Sequence, residues 1–459
     1  MRNLIEKWLI RAWNRRFARR GAPHDARALD LGARVTEDET GGRVTIPQGK
    51  RPEHIACLGR TGTGKSSLLR YVASQDLRAH SRGFLYFDLH GDATDFIVSS
   101  VADEEKALGE DLSDRLIVIK PGDSDFSVGM NPLERRGGTG QFVQIAEFAQ
   151  VLRERWHLDT LGARTDELLR NALYVLADAG LTLLEIGPLL THTAFRTGCL
   201  KKVTNAEVRQ YFELRYDPLS DAMRTVMAEP ILNKTTAFTA DPHFRHIVGQ
   251  QYSTFSLLES IDAGRWIVLN LDKGRLGEQS PTLGALFFTA IKNALFARRK
   301  RELFTIYADE VQNLIAYGGG LETVLSEARK FGVSIVSANQ YLEQYPPDMR
   351  AAISAVGSHL YFQLSSGDAQ QIANALDGGK SLAERLKNLP KRHLVAKIGN
   401  EPWQEAVVPT VKNPKSDPTD LYARSCARWA KRRADIEAEI AERQSMINRT
   451  PNEAINDWE

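Results

Sequence analysis

Eight consecutive residues, Gly59-Arg60-Thr61-Gly62-Thr63-Gly64-Lys65-Ser66, constrain this chain more than any other stretch. They fit the pattern Gly-x-x-x-x-Gly-Lys-Ser, whose glycines let backbone N–H groups converge on phosphate oxygens with no Cβ in the way. The run HIACLG at 54–59 reads as a buried strand leading into the loop. Leu68, Leu69 and Val72 mark one face of a helix over 65–75, which would aim the positive end of its dipole at the same anion. Strand, loop and helix in that order predict a nucleotide site. Gly59 to Ser67 would hold ATP, with Lys65 at the β- and γ-phosphates and the Ser66 hydroxyl on Mg²⁺.

The rest of the chain supplies the matching architecture. FLYFDL (84–89), LIVIK (116–120), RWIVLNL (265–271), LFTIYADE (303–310), VSIVSA (333–338) and HLYFQL (359–364) read as strands, most of them alternating with helices. That alternation predicts an α/β fold with a mainly parallel sheet covered on both faces. From about 139 to 260 the apolar residues recur at helical spacing, as in ELLRNALYVLADAG (167–180), and strand signals are scarce. The expected organisation is a motor domain over 51–135 and 263–412, an inserted all-α domain over 136–262, and a charged helical tail over 413–459. Residues 1–50 read as a basic amphipathic helix and linker.

Composition narrows the setting. Among 459 residues, 60 Lys+Arg against 58 Asp+Glu leave almost no net field, so a nucleic-acid surface must come from local patches. Cys57, Cys199 and Cys426 stand far apart, which argues against a disulfide framework or zinc site and fits a reducing cytoplasm. No apolar run approaches the roughly 18 residues needed to cross a bilayer. In MRNLIEKWLIRAWNRRFARRG, however, Leu4, Ile5, Trp8, Leu9 and Trp13 share a helical face ringed by arginines. Such a helix fits peripheral contact with the inner membrane or a DNA backbone, or equally a docked protein surface.

A phosphate loop needs a carboxylate for Mg²⁺ and a base to orient the attacking water. Asp309 and Glu310 follow an apolar strand at its C-terminal end, the edge where α/β sheets bind ligands. We assign Asp309 to the metal and Glu310 to the water; a merely solvated strand end is the plain alternative. Asn233-Lys234-Thr235-Thr236 breaks the Asn-Lys-x-Asp pattern that reads guanine, so a small GTPase is disfavoured. A helix over 321–331 would place Leu321, Val324, Leu325 and Ala328 on one face, with Gly332 as its cap, leading into the rest of LSEARKFGVSIVSANQ (325–340). Gln340 would sense the γ-phosphate if its strand adjoins that of Asp309. Arg329 is either a surface salt-bridge residue or a finger reaching a neighbouring subunit's ATP. The cluster Arg298-Arg299-Lys300-Arg301 fits a solvated helix end better than a DNA contact, and His54 and His90 have no partner at ligand spacing.

Taken together, these residues resemble the HerA/FtsK superfamily, most closely the TraG/TraD-like coupling ATPases of conjugative DNA transfer and type IV secretion. FDLHGD (87–92) looks like that family's Asp-Pro-His-Gly-Asp turn, and GMNPL (129–133) like its Asn-Pro-Leu turn. ILNKTTAFTADPHFRHIVGQ (231–250), VLNLDKGRLGE (268–278) and SEARKFGVSIVSANQ are similar to further family segments, in the family's order, over roughly residues 50–410. The resemblance implies a RecA-like ATPase domain with an all-α insert, assembled as a homo-hexameric ring around DNA. It also implies Arg329 as a trans-acting finger and Gln340 as a γ-phosphate sensor. Two departures stand out: Leu89 replaces the usual proline, and the family's N-terminal membrane helices have no counterpart in this sequence. The leading expectation is an ATP-driven DNA translocase, with a membrane-channel partner left open. The alternative is a regulatory or scaffold ATPase that controls a partner such as a nuclease; a small-molecule kinase is disfavoured.

Overall fold

Short runs that are apolar at every position, rather than at alternate ones, belong in strands covered on both faces. In the computed structural model they take that place. It describes residues 27–35, 42–135, 141–156, 162–277, 279–311 and 320–448, and the basic N-terminal segment lies outside this set. Strands β3 (Ile55–Leu58), β4 (Gly83–Asp88), β5 (Leu116–Ile119), β7 (Trp266–Asn270), β8 (Phe304–Ala308) and β9 (Val333–Asn339) are buried along their whole lengths. With β10 (Ser358–Tyr361) they pair in parallel in the order β10-β3-β9-β8-β4-β7-β5. Strand β3 therefore emerges beside β9, and β9 beside β8, which brings the phosphate loop, Gln340 and Asp309 to one edge.

The sheet continues past β10 as an antiparallel ribbon of β11 (His393–Ile398), β12 (Gln404–Val407), β1 (Leu29–Arg34) and β2 (Arg43–Ile46). This corrects the linker part of the reading of residues 1–50, while the basic helix of that reading lies outside the described residues. Leu29, Leu31, Val44 and Ile46 alternate inward and are no more than 1% exposed, joining the core under the helix Lys65–Arg78. Gln75 fixes the junction, its side chain accepting from Asp30 N and donating to Asp30 O, each at 2.9 Å.

A buried polar cluster ties the phosphate-loop helix to the Asp309 strand. Arg51 donates to both oxygens of Asp76, to Oδ1 at 2.7 Å and to Oδ2 at 2.5 Å, and to Thr305 Oγ1 at 2.8 Å. The Tyr307 hydroxyl donates to Asp76 Oδ2 at 2.6 Å. Burial works to raise the Asp76 carboxyl, yet the Arg51 guanidinium outweighs it and holds the group below the usual carboxylate range. Removing one partner would strand a buried charge, so this cluster fixes the phosphate-loop helix against β8.

Between β6 (Phe126–Ser127) and β7 the regular elements among the described residues are helical. The helix Ala163–Ala179 centres them, with Leu168, Leu169, Ala172, Leu173 and Leu176 fully buried along one face. Asn131, from the GMNPL turn at the start of this segment, ties it to its middle and to its close: its Nδ2 donates to Leu181 O at 3.2 Å and to Gln251 O at 2.9 Å. Glu134 Oε2 accepts from the Ser253 amide and hydroxyl. The turn is thus a clasp at the root of the helical segment.

The charged tail is largely helical over its described residues, and it is docked on the rest of the chain despite its charge. The helix Thr419–Trp429 docks on β5, with Ser425 Oγ donating to Leu116 O at 2.7 Å and Arg424 pairing with Glu105 and Asp111. Lys431–Arg432 then pairs antiparallel with β6. The helix Arg433–Asn448 crosses to the helical segment, burying Ile436 and Ile440 completely. There Glu437 meets His246 at 2.6 Å and Arg443 meets Glu185 at 3.2 Å. The tail is a strap from the sheet to the helical segment. Arg298 likewise proves structural: it is 3% exposed, 2.9 Å from Asp262, and donates to the carbonyls of Phe331 and Glu302.

Candidate active site

The phosphate loop leaves β3 and is clamped by its neighbours. Gly59 N donates to Asn339 O at 3.1 Å and Arg60 N to Gln363 O at 2.9 Å, while Arg392 N donates to Thr63 O at 2.7 Å. Glycine serves two purposes here. A Cβ on Gly59 would lie 2.5 Å from that of Phe362, and Gly64 has φ +122°, a conformation that side chains resist. Lys65 donates to the carbonyls of Gly59 and Arg60, folding its ammonium over the loop. Ser66 Oγ, at the first turn of the helix, donates to Asp309 Oδ2 at 2.7 Å. Arg60, Thr61 and Ser66 are exposed at the loop surface, and Ser67 is half-buried one residue further on.

Asp309 and Glu310 follow β8 directly. Burial pushes the Asp309 carboxyl above the usual range, an environment that a bound cation would relieve. Glu310 has φ +53°, strained for a non-glycine residue and of the kind that collects at functional sites. Gln340, one residue beyond β9, donates from Nε2 to Glu310 Oε1 at 3.1 Å and accepts from Thr61 Oγ1 at 3.1 Å. It is held in turn by Gln344, whose Oε1 accepts from Gln340 N at 3.0 Å. Lys65, Ser66, Asp309, Glu310 and Gln340 thus form one constellation, with a cleft of about 640 Å³ opening beside Arg60, Thr61 and Gln340.

Arg329 is not part of that constellation within the chain. The helix Leu321–Glu327 and the single 3₁₀ turn Ala328–Phe331 bury Leu321, Val324, Leu325 and Ala328, and Gly332 caps them at φ +69°. This leaves Arg329 63% exposed at the opposite edge of the sheet, 3.0 Å from Glu53. Sequence reasoning missed His90. It follows β4, the strand paired with β8, and its Nε2 lies 3.3 Å from Glu310 Oε2. Only the register of β4 against β8 reveals that neighbour.

The donor set suits Mg²⁺, which takes one or two protein oxygens and completes its shell with phosphates and water. Ser66 and Asp309 already face each other at hydrogen-bond distance. A phosphate loop on the strand between β10 and β9, with an acidic pair on the next strand but one, defines a RecA-like P-loop nucleoside triphosphatase.

Comparison with known proteins takes the assignment further. Residues 39–390 match the model of the type IV secretion-system coupling protein DNA-binding domain, and the chain belongs to that family. The plasmid coupling protein TrwB, solved with a non-hydrolysable ATP analogue, superposes with a TM-score of 0.56 at 19% identity, covering 87% of this chain and 98% of that one. The unbound form of TrwB gives a TM-score of 0.54 at 16% identity, with the same coverage. VirB4 of Thermoanaerobacter pseudethanolicus gives 0.55 at 15% identity, covering 87% of this chain and all of that one. At these identities the likeness concerns the fold. No curated protein sequence matches.

Proposed function

We propose that this chain is an ATP-hydrolysing DNA translocase of the coupling-protein type, working as a ring. The observation that carries the reading is the convergence of Lys65, Ser66, Asp309, Glu310 and Gln340 at one sheet edge in a chain of the coupling-protein family. Lys65 would trade the carbonyls of Gly59 and Arg60 for the β- and γ-phosphates of ATP. Ser66 and Asp309 would hold Mg²⁺, which supplies charge neutralisation at those phosphates. Glu310 would take the proton of the attacking water, and Gln340, lying between Thr61 and Glu310, would register the γ-phosphate.

Arg329 supports assembly. An exposed arginine at the edge opposite its own phosphate loop has no ATP to serve unless a neighbouring copy presents one. A homo-hexamer, each subunit lending Arg329 to the next, gives it that role. TrwB has been solved with ADP and Mg²⁺ and with an ATP analogue, which supports the same cofactors here. No helix among the described residues is long and apolar enough to cross a membrane. The basic amphipathic pattern of the first twenty residues supports peripheral attachment to an anionic membrane instead.

The reading is tested by roadblock displacement. Wild-type protein with ATP and Mg²⁺ should strip a tightly bound protein block from DNA, and Lys65→Ala should not. ATP hydrolysis with no displacement from single- or double-stranded DNA would reject translocation.

A further inference from the structure

Glu310 has a side chain facing each of its two oxygens. Gln340 Nε2 donates to one oxygen at 3.1 Å, and His90 Nε2 lies 3.3 Å from the other. The His90 side of this arrangement is built by the turn after β4. Phe87 is paired with Ala308, so Asp88-Leu89-His90 and Asp309-Glu310 leave the sheet side by side. Asp88 fastens the turn: Oδ1 accepts from Gly91 N at 2.9 Å, and Oδ2 accepts from Thr94 N at 2.7 Å and Thr94 Oγ1 at 2.6 Å. Asn270 Nδ2, from the next strand, donates to Thr94 Oγ1 at 2.9 Å. Gly91 takes φ +84°, and Leu89 is 1% exposed, anchoring the residue before His90 in the core. The imidazole therefore projects from a fixed base, with 55% of its own surface exposed.

We propose that His90 is a positioning residue for hydrolysis, fixing the Glu310 carboxylate so that its remaining lone pairs face the attacking water. A carboxylate on a strained backbone at a strand end turns about its side-chain torsions unless both oxygens are held. Gln340 donates to one oxygen and the His90 imidazole faces the other, so each oxygen has a side chain set against it. Because Gln340 also touches Thr61 of the phosphate loop, the arrangement links the base to the loop on one side and to the β4 turn on the other. This inference rests on Glu310 acting as the base.

The experiment measures kcat and KM for ATP with saturating Mg²⁺ and DNA, using full-length His90→Ala, His90→Gln, Glu310→Gln and the double variant His90→Ala/Glu310→Gln. His90→Ala should lower kcat roughly tenfold with KM within about twofold, the pattern of an interaction needed in the transition state. His90→Gln, whose Nε2 reaches a similar position with an N–H donor, should restore most of the rate. On the Glu310→Gln background, removing His90 should change nothing further. Wild-type kcat in His90→Ala, while Glu310→Gln is inactive, overturns the role of His90 and leaves the base intact. A raised kcat in His90→Ala also overturns it, marking a restraint rather than a support. Full turnover by Glu310→Gln overturns both the base assignment and the inference built on it.

Discussion

The Ser66 hydroxyl donates to the Asp309 carboxylate at 2.7 Å, although 243 residues of sequence separate them. That bond joins the first turn of the phosphate-loop helix to the end of β8, and Ser66 and Asp309 are the residues that would hold Mg²⁺. Asp309→Asn should raise the Mg²⁺ concentration needed for half-saturation by roughly tenfold or more, the scale of perturbed metal sites. A Mg²⁺ titration of fluorescent-ATP binding checks this, and an unchanged midpoint would remove Asp309 from the metal site.

Arg329 sits across the sheet from its own ATP site, paired with Glu53. As a finger acting on the neighbouring subunit, it would contribute roughly 10³–10⁵ in rate. Arg329→Ala should therefore bind ATP normally and hydrolyse it at background. Mixed one to one with wild type, it should leave well under half of the wild-type activity. Activity that tracks only the wild-type fraction would place Arg329 outside the catalytic cycle.

The tail helix seals the joint between sheet and helical segment through Ile436 and Ile440. Replacing Ile440 with alanine should cost about 2–4 kcal/mol, the usual range for a buried aliphatic truncation. Amide exchange in the helix Pro242–Val248, which the strap touches through His246, should speed up before exchange in β8 does. Equal protection in both proteins would mean the strap is not what holds that helix.

His54 enters β3 at φ 66° and ψ 163°, a conformation nearly reserved for glycine, and its Nδ1 accepts from Ile335 N at 3.1 Å. Burial pushes the imidazole down to about 4. The unfolded chain takes up a proton below about 6.5 while the folded one resists until about 4, so stability falls as pH falls through that window. At pH 5 the linkage costs about 2 kcal/mol. Denaturant unfolding at pH 7.5 and 5 should therefore show His54→Asn losing less on acidification than wild type. Parallel losses would exclude His54 as the source.

The parallel half of the sheet was legible because strands covered on both faces, such as LIVIK and RWIVLNL, must be apolar throughout. The antiparallel ribbon was not. Leu29, Leu31, Val44 and Ile46 alternate over too few residues to stand out, and β11 and β12 are edged by charge. Asp309, Glu310 and Gln340 announced themselves at strand ends, where chemistry gathers. His90 did not, because its meaning lies in a cross-strand register that no local spacing encodes. The strap was hidden similarly: two buried isoleucines, 436 and 440, sit in a helix otherwise written in charge.

The central claim is that DNA drives a turnover in which Glu310 is the base. ATPase rates of purified wild type and Glu310→Gln, each alone and with single- or double-stranded DNA, test it most directly. The account predicts strong stimulation of wild type by DNA, and an inactive Glu310→Gln that still binds ATP. Hydrolysis indifferent to both forms of DNA would contradict it and point to an ATPase that switches a partner protein.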